Sequence, residues 1–174
     1  MIRKAKKEDI ERVVEIYDHI HDAEEKGAIF VGWNRKIYPT KKTAEAAVDR
    51  DDLYVMIDDV SDEMVATAII NKIQVDVYKD ANWKFNAQDD EVMVLHTLIV
   101  DPNKKNKGYG RKFVEFYENL AKDNGCKVLR IDTNEKNTNA RQFYKKINYR
   151  EAGVVPCEFN GLKNVHLVLL EKQI

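Results

Sequence analysis

The sequence predicts an α/β domain: a central mixed, largely antiparallel sheet flanked by about four helices. Three observations carry that prediction. Segments of strand-like patterning alternate with segments of helical period in the order βααβββαβαββ. One run, "EVMVLHTLIV" at residues 91–100, is too apolar for a strand with one wet face, so it belongs in the middle of a sheet. It runs into a loop with two glycines, "VDPNKKNKGYGRK" at 100–112, and then into an amphipathic segment.

In chain order, Ile2 to Lys6 reads as a short edge strand. "KKEDIERVVEIYDHIHDAEEKG" places Ile10, Val13, Val14, Tyr17 and Ile20 at helical spacing, with acids near its start and Gly27 as a stop. "AIFVGWNRKIYP" is irregular and aromatic, and "TKKTAEAAVDRD" is a second, short helix with Thr40 as N-cap. "LYVMID" and "EMVATAIIN" form a hairpin across the turn "DVSD". Lys72 to Asp90 is a long connection that carries Tyr78, Trp83 and Phe85. After the central strand, "YGRKFVEFYENLAKDNG" turns Phe113, Phe116, Tyr117 and Leu120 inward and stops at Asn124-Gly125. "KVLRID" is a strand, and "NTNARQFYKKI" a helix with Ala140, Phe143, Tyr144 and Ile147 on one side. Strands "NYREAGVVP" and "NVHLVLLEK" follow.

A chain of 174 residues fits one domain, 1–174, with room for a substantial core. Hydrophobic residues make up 44% and charged residues 34%, which suits a soluble globular protein, and three prolines with seven glycines leave little for linkers. The net charge of −1 offers no whole-protein field for nucleic acid, so any attraction for anions is local. Cys126 and Cys157 have neither metal spacing nor a disulfide framework. No apolar run approaches the roughly 20 residues of a membrane span, and the charged start "MIRKAKKEDIERVV" is unlike a signal peptide. A cytoplasmic setting with no membrane partner is the expectation.

Strand, glycine loop and helix together gather anions, because first-turn amides lack intrahelical acceptors and the helix dipole adds partial positive charge. Lys104, Lys105, Lys107 and Arg111 add mobile charge around Gly108 and Gly110, and Pro102 ends the preceding strand. A Rossmann fingerprint would need a small residue where Phe113 stands, and a P-loop needs Gly-Lys-Ser/Thr. On these features alone, a tight turn made soluble by lysines fits as well.

The second half of the chain adds more. "LIVDPNKKNKGYG", a helix, a strand and then "NTNARQFYKKINY" closely resemble the GNAT superfamily of acyl-CoA N-acyltransferases. The family's loop, P-x-x-(Arg/Gln)-x-x-G-x-(Gly/Ala), falls on Pro102, Lys105, Gly108 and Gly110, with Lys105 in the Arg/Gln position. Its later motif falls on Asn137, Ala140, Phe143, Tyr144, Lys146 and Tyr149, and departs at Asn148, where glycine is usual. The resemblance implies acetyl-CoA as cosubstrate and no metal. The pyrophosphate would be cradled by the backbone of Lys105, Asn106, Lys107, Gly108, Tyr109 and Gly110, beside Arg111. The backbone along Leu98, Ile99 and Val100 would pair with the pantetheine arm, and Asn137 would hydrogen-bond the same arm. Tyr144 matches the tyrosine that faces the thioester sulfur.

Acyl transfer to an amine needs a neutral nucleophile and a protonated leaving group. An alkylammonium with a pKa of about 10.4 must lose a proton, and a thiolate whose acid has a pKa of about 8.5 gains from a hydroxyl at about 10. Tyr144 suits the second task, against the alternative of a core tyrosine beside Phe143. For the base, many family members carry glutamate where Val94 stands here. His96, two residues on, shares that strand face and matches a histidine of the arylalkylamine branch; it is equally readable as a core histidine bonded to a carbonyl. Glu91 could act through water, or the cleft could simply admit free amine. His19 and His21 do not share a helix face, so no metal pair is expected there, and His166 reads as structural. Trp33 and Tyr38 are candidate acceptor-side residues. Acidic runs such as "DAEE" are solvated surface or a lure for a cationic amine. The leading reading is an N-acetyltransferase acting by direct attack in a ternary complex on a small-molecule or peptide amine. The alternatives are a non-catalytic acyl-CoA or CoA sensor and, against the charge balance, a nucleic-acid binder. A homodimer through edge strands is compatible with such folds.

Overall fold

The computed structural model describes residues 1–104, 108–159 and 161–174. Among them, the helices are α1 (Ile10–Glu25), α2 (Lys41–Asp49), α3 (Tyr109–Asp123) and α4 (Thr138–Lys146). The strands are β1 (Ile2–Lys4), β2 (Leu53–Ile57), β3 (Met64–Asn71), β4 (Val92–Val100), β5 (Val128–Asn134), β6 (Arg150–Phe159) and β7 (Leu162–Gln173). The strand order is β1-β2-β3-β4-β5-β7-β6. β4 and β5 run parallel, whereas β1–β2, β2–β3, β5–β7 and β6–β7 are antiparallel. The sheet is therefore mixed and largely antiparallel, with "EVMVLHTLIV" at its centre, as its uninterrupted apolar character requires.

The chain divides into two compact units. The first holds Met1–Ile29, Trp33–Ile70 and His96–Tyr117. In it, α1 buries Val13, Ile16, Tyr17 and Ile20, one face at helical spacing, and Gly27 follows at φ +70°, the left-handed conformation that ends a helix. α2 packs on α1 and buries Ala44 and Ala47 completely. It starts at Thr40, whose N–H donates to Thr43 Oγ1 at 3.0 Å. Burying each large side chain of this set is worth about 1.5–3 kcal/mol relative to leaving it in water.

The second unit holds Phe30–Gly32, Asn71–Leu95 and Glu118–Ile174. Its core gathers Tyr78, Val92, Val94, Val128, Leu167 and Leu169, with Trp83 and Phe85 packed against them. The irregular segment before β4 is held by side chains in place of a ladder. Glu171, fully buried on β7, accepts the backbone N–H groups of Lys84 (2.9 Å) and Phe85 (3.2 Å) and pairs with Arg150. The Arg130 guanidinium lies 4.1 Å from the centre of the Trp83 ring.

Several strand boundaries differ from expectation by about two residues, and that of β6 by more. β6 does not end at Pro156 but continues to Phe159, which pairs with Leu162 across residues 160–161. Proline is tolerated because β6 is the last strand in the order and its register is already broken on both sides, between Glu151 and Gly153 and between Cys157 and Phe159. Gly161, at φ +83°, supplies a left-handed residue directly before Leu162, which suits a chain reversal there.

Candidate active site

β4 pairs with β5 from Val92 to Leu95, and these four residues are all buried. Exposure then rises: His96, Thr97 and Leu98 are half-buried, Ile99 is buried and Val100 half-buried. Thr97 has φ +52°, a conformation that a β-branched residue adopts only where its surroundings enforce it. One enforcing contact is visible: the Thr97 hydroxyl hydrogen-bonds the Tyr38 hydroxyl. Tyr38 in turn meets Trp33 edge-on, with ring centres 5.9 Å apart. The backbone N–H of Trp33 donates to Glu24 Oε2 at 3.3 Å, and Trp33 lines a cavity of about 320 Å³ with His21, Glu24, Glu25 and Arg35. The first unit thus brings together Trp33, Tyr38 and Thr97, the residue after His96. No sequence signal marks Thr97, since threonine disfavours the very backbone it holds.

Immediately after β4, Asp101 is 1% exposed and accepts from Arg12 Nη2 (2.8 Å), His19 Nδ1 (3.0 Å) and the Asn103 N–H (2.9 Å). Burial alone would raise its pKa, but the Asn103 amide, Arg12 and His19 together hold the carboxyl below its usual range. Asp101 stands in the quoted loop but is not among the predicted functional residues; its side-chain partners Arg12 and His19 come from α1, at long sequence separation. His21, by contrast, is buried and its Nε2–H donates to the Pro39 carbonyl at 3.0 Å. Among the described residues no group of three or more His, Cys, Asp or Glu side chains is arranged to hold a metal ion.

Of the predicted phosphate loop, Lys105, Asn106 and Lys107 lie outside the described residues. Gly108 has φ +72°, and a Cβ added there would meet nothing within 4 Å. The Lys112 N–H donates to the Gly108 carbonyl at 3.1 Å. The N–H groups of Tyr109, Gly110 and Arg111 therefore precede the first helical donor and lack intrahelical acceptors. Glycine on the approach side and free-standing amides suit an anion. The loop's mobile positive charge is smaller than the lysine count suggests, because Lys104 pairs with Glu63 (2.7 Å) and Arg111 with Glu115 (3.1 Å).

The second unit holds Glu91, Asn137 and Tyr144. Asn137 is the N-cap of α4, and its Oδ1 accepts the Ala140 N–H at 3.1 Å, a bond that does not use the side-chain amide nitrogen. Tyr144 is buried, edge-on to Phe143 (5.1 Å) and Tyr149 (5.6 Å). Burial, with a smaller contribution from the charge of Asp132, pushes its pKa well above the ordinary tyrosine value, so the phenol carries its proton. Glu91 lies just before β4, where the Lys127 ammonium and the Gln88 N–H keep its carboxyl below the usual range. Val94, at the family's glutamate position, is fully buried. Asn148, at the family's glycine position, has φ +69°, and asparagine is among the few non-glycine residues at ease there.

The profile of the acetyltransferase (GNAT) family matches residues 4–149. The chain belongs to that family. An uncharacterized N-acetyltransferase of Methanocaldococcus jannaschii is 28% identical over 86 residues, 49% of this chain and 38% of that protein. The chain spans between 38% and 56% of the length of the curated relatives it matches. Among solved structures, a GNAT-family acetyltransferase from Streptococcus agalactiae superposes with a TM-score of 0.80 at 19% identity, covering 100% of this chain and 95% of that one. The structure of yncA from Salmonella typhimurium, with its cofactor acetyl-CoA, gives a TM-score of 0.68 at 18% identity and covers 99% and 92%. At these identities the likeness is one of fold. No helix among the described residues is long and apolar enough to cross a membrane.

Proposed function

We propose that this GNAT domain, residues 1–174, is an N-acetyltransferase that moves an acetyl group from acetyl-CoA to a primary amine by direct attack in a ternary complex. The observation that carries the reading is Gly108: a left-handed glycine with open space at its Cβ position, directly before three helix-start amides without intrahelical acceptors. In this reading the amides of Lys105 to Gly110, with Arg111 beside them, hold the pyrophosphate. The backbone of Leu98, Ile99 and Val100 is assigned to pairing with the pantetheine arm, and the Asn137 amide is a candidate hydrogen-bond donor to that arm.

Tyr144 is the proton donor to the departing sulfur. Its raised pKa keeps the proton on the phenol, so the hydroxyl donates a hydrogen bond that stabilises the negative charge developing on the sulfur, and the sulfur leaves partly neutralised. His96 is assigned as base for the incoming ammonium. Glu91 is the weaker candidate, because its ion pair with Lys127 stabilises the carboxylate and lowers its basicity. Trp33 and Tyr38 form the acceptor side, linked to β4 through Thr97. The two cysteines, which are free thiols, accord with a cytoplasmic protein.

A second reading has one observation in its favour. The fully buried Val94 leaves no carboxylate at the family's usual base position, as a CoA sensor without turnover would tolerate. Calorimetric titration with acetyl-CoA, CoA and ADP tests the first step common to both: micromolar binding that depends on the pyrophosphate is expected, and absence of binding to all three ends both readings. Thiol release on an amine panel then separates enzyme from sensor.

A further inference from the structure

The turn between β2 and β3 reaches both described ends of the glycine loop. On one side, the Lys104 ammonium donates to Glu63 Oε2 at 2.7 Å. On the other, the Tyr109 hydroxyl donates to Asp58 Oδ2. The turn fixes these two carboxylates relative to each other, since the Asp58 N–H donates to the Glu63 carbonyl at 2.9 Å. Asp58 Oδ1 is also occupied, accepting the N–H groups of Val60 (2.8 Å) and Ser61 (3.2 Å). Tyr109 is 6% exposed although the preceding Gly108 is exposed, so the first residue of α3 is pinned at its side chain while the backbone before it is open.

Charge gives no reason for this arrangement. Asp58, Asp59, Asp62 and Glu63 crowd one turn beside a segment suited to anions, and carboxylates there repel phosphate. The benefit is geometric. We propose that Asp58 is a positioning residue for the phosphate-holding loop: by taking the Tyr109 hydroxyl it fixes the first turn of α3, so that the amides of Tyr109, Gly110 and Arg111 point at a pyrophosphate before it arrives. The proposal rests on the reading of this loop as the acetyl-CoA site. Its physical content is preorganisation, in which the entropy of ordering the loop is lost in folding and not in binding.

Five proteins test it by calorimetry with CoA, ADP and pantetheine: wild type, Asp58→Ala, Tyr109→Phe, Asp58→Asn and the double variant Asp58→Ala/Tyr109→Phe. Losing the Tyr109–Asp58 contact weakens CoA and ADP by about tenfold and leaves pantetheine unchanged. The double variant Asp58→Ala/Tyr109→Phe is no weaker than either single one, because both remove the same contact. Asparagine keeps Oδ1 for the turn and offers Nδ2–H to the tyrosine oxygen, so Asp58→Asn stays within about threefold of wild type. Wild-type affinity in Tyr109→Phe, or CoA binding more than about threefold tighter in Asp58→Asn, overturns the proposal and makes the turn an electrostatic brake or a scaffold. If Asp58→Ala does not fold, Tyr109→Phe, which removes one oxygen, still decides. Wild type that binds neither CoA nor ADP fails the acetyl-CoA reading itself, a result distinct from normal binding indifferent to the variants.

Discussion

Asp101→Asn is expected to destabilise the protein by about 2–3 kcal/mol at neutral pH, and by less in acid. Asp101 is 1% exposed and accepts three hydrogen bonds, two from cationic or cation-forming groups. Removing one partner of a buried charge pair costs about 3–5 kcal/mol where the other charge is left buried. Here Arg12 and His19 keep side-chain exposures of 29% and 33%, and Arg12 retains Glu15 and the Met64 carbonyl, so the cost is discounted toward the lower figure. The sign with pH follows from the depressed pKa. The carboxylate's stabilisation is fully present above its unfolded value of about 3.9 and is lost as pH falls through the lower folded value. Urea unfolding of wild type and Asp101→Asn at pH 7, 5 and 3, compared at constant m, measures both parts. A difference below about 0.5 kcal/mol at pH 7, or one that is the same at pH 3, refutes the view of Asp101 as an ionised hub.

Tyr144→Phe should leave CoA affinity as in wild type and lower turnover about 10²-fold or more, read by thiol release once an acceptor is found; equal turnover removes the general-acid assignment. Because the Tyr144 pKa is raised, the same variant should leave the tyrosinate absorbance change unaltered up to about pH 10, and a missing phenol in that range contradicts the buried, protonated state. Gly32→Ala should cost about 2 kcal/mol, since φ is +81° and the new Cβ would lie 2.3 Å from Asn134 Nδ2; calorimetric melting should fall by about 4–8 °C, and an unchanged midpoint rejects the geometry. Asn148→Gly should remain within about 0.5 kcal/mol of wild type while Asn148→Val loses about 1–2, because only the latter strains φ +69°.

The elements that sequence patterning placed correctly are those whose signal is local. α1 writes its buried face in the spacing of Val13, Ile16, Tyr17 and Ile20, and β4 declares its central position by four buried residues in succession. Family motifs single out Gly108, Asn137 and Tyr144 for the roles proposed above, on residue identity and not on periodicity. What escaped has no local signature. Asp101 acquires its importance from Arg12 and His19, more than eighty residues away. Asp58 looks like one of several turn acids until Tyr109 is brought to it. Thr97 is harder still, because its left-handed backbone runs against its own preference. The expected end of β6 at Pro156 is too early, because a missing N–H matters little on an edge strand.

That edge has a consequence for life at high concentration. A sheet grows by recruiting strands from other molecules wherever it offers an uninterrupted row of donors and acceptors. At one end the terminal strand, β1, is three residues long. At the other, β6 is long, but Pro156 removes a donor and two register breaks spoil the repeat. Neither margin is a good template for fibre growth, so concentrated solutions should resist strand-mediated aggregation. Replacing Pro156 with valine would mend part of one margin and make the chain more prone to self-association without touching any proposed catalytic group.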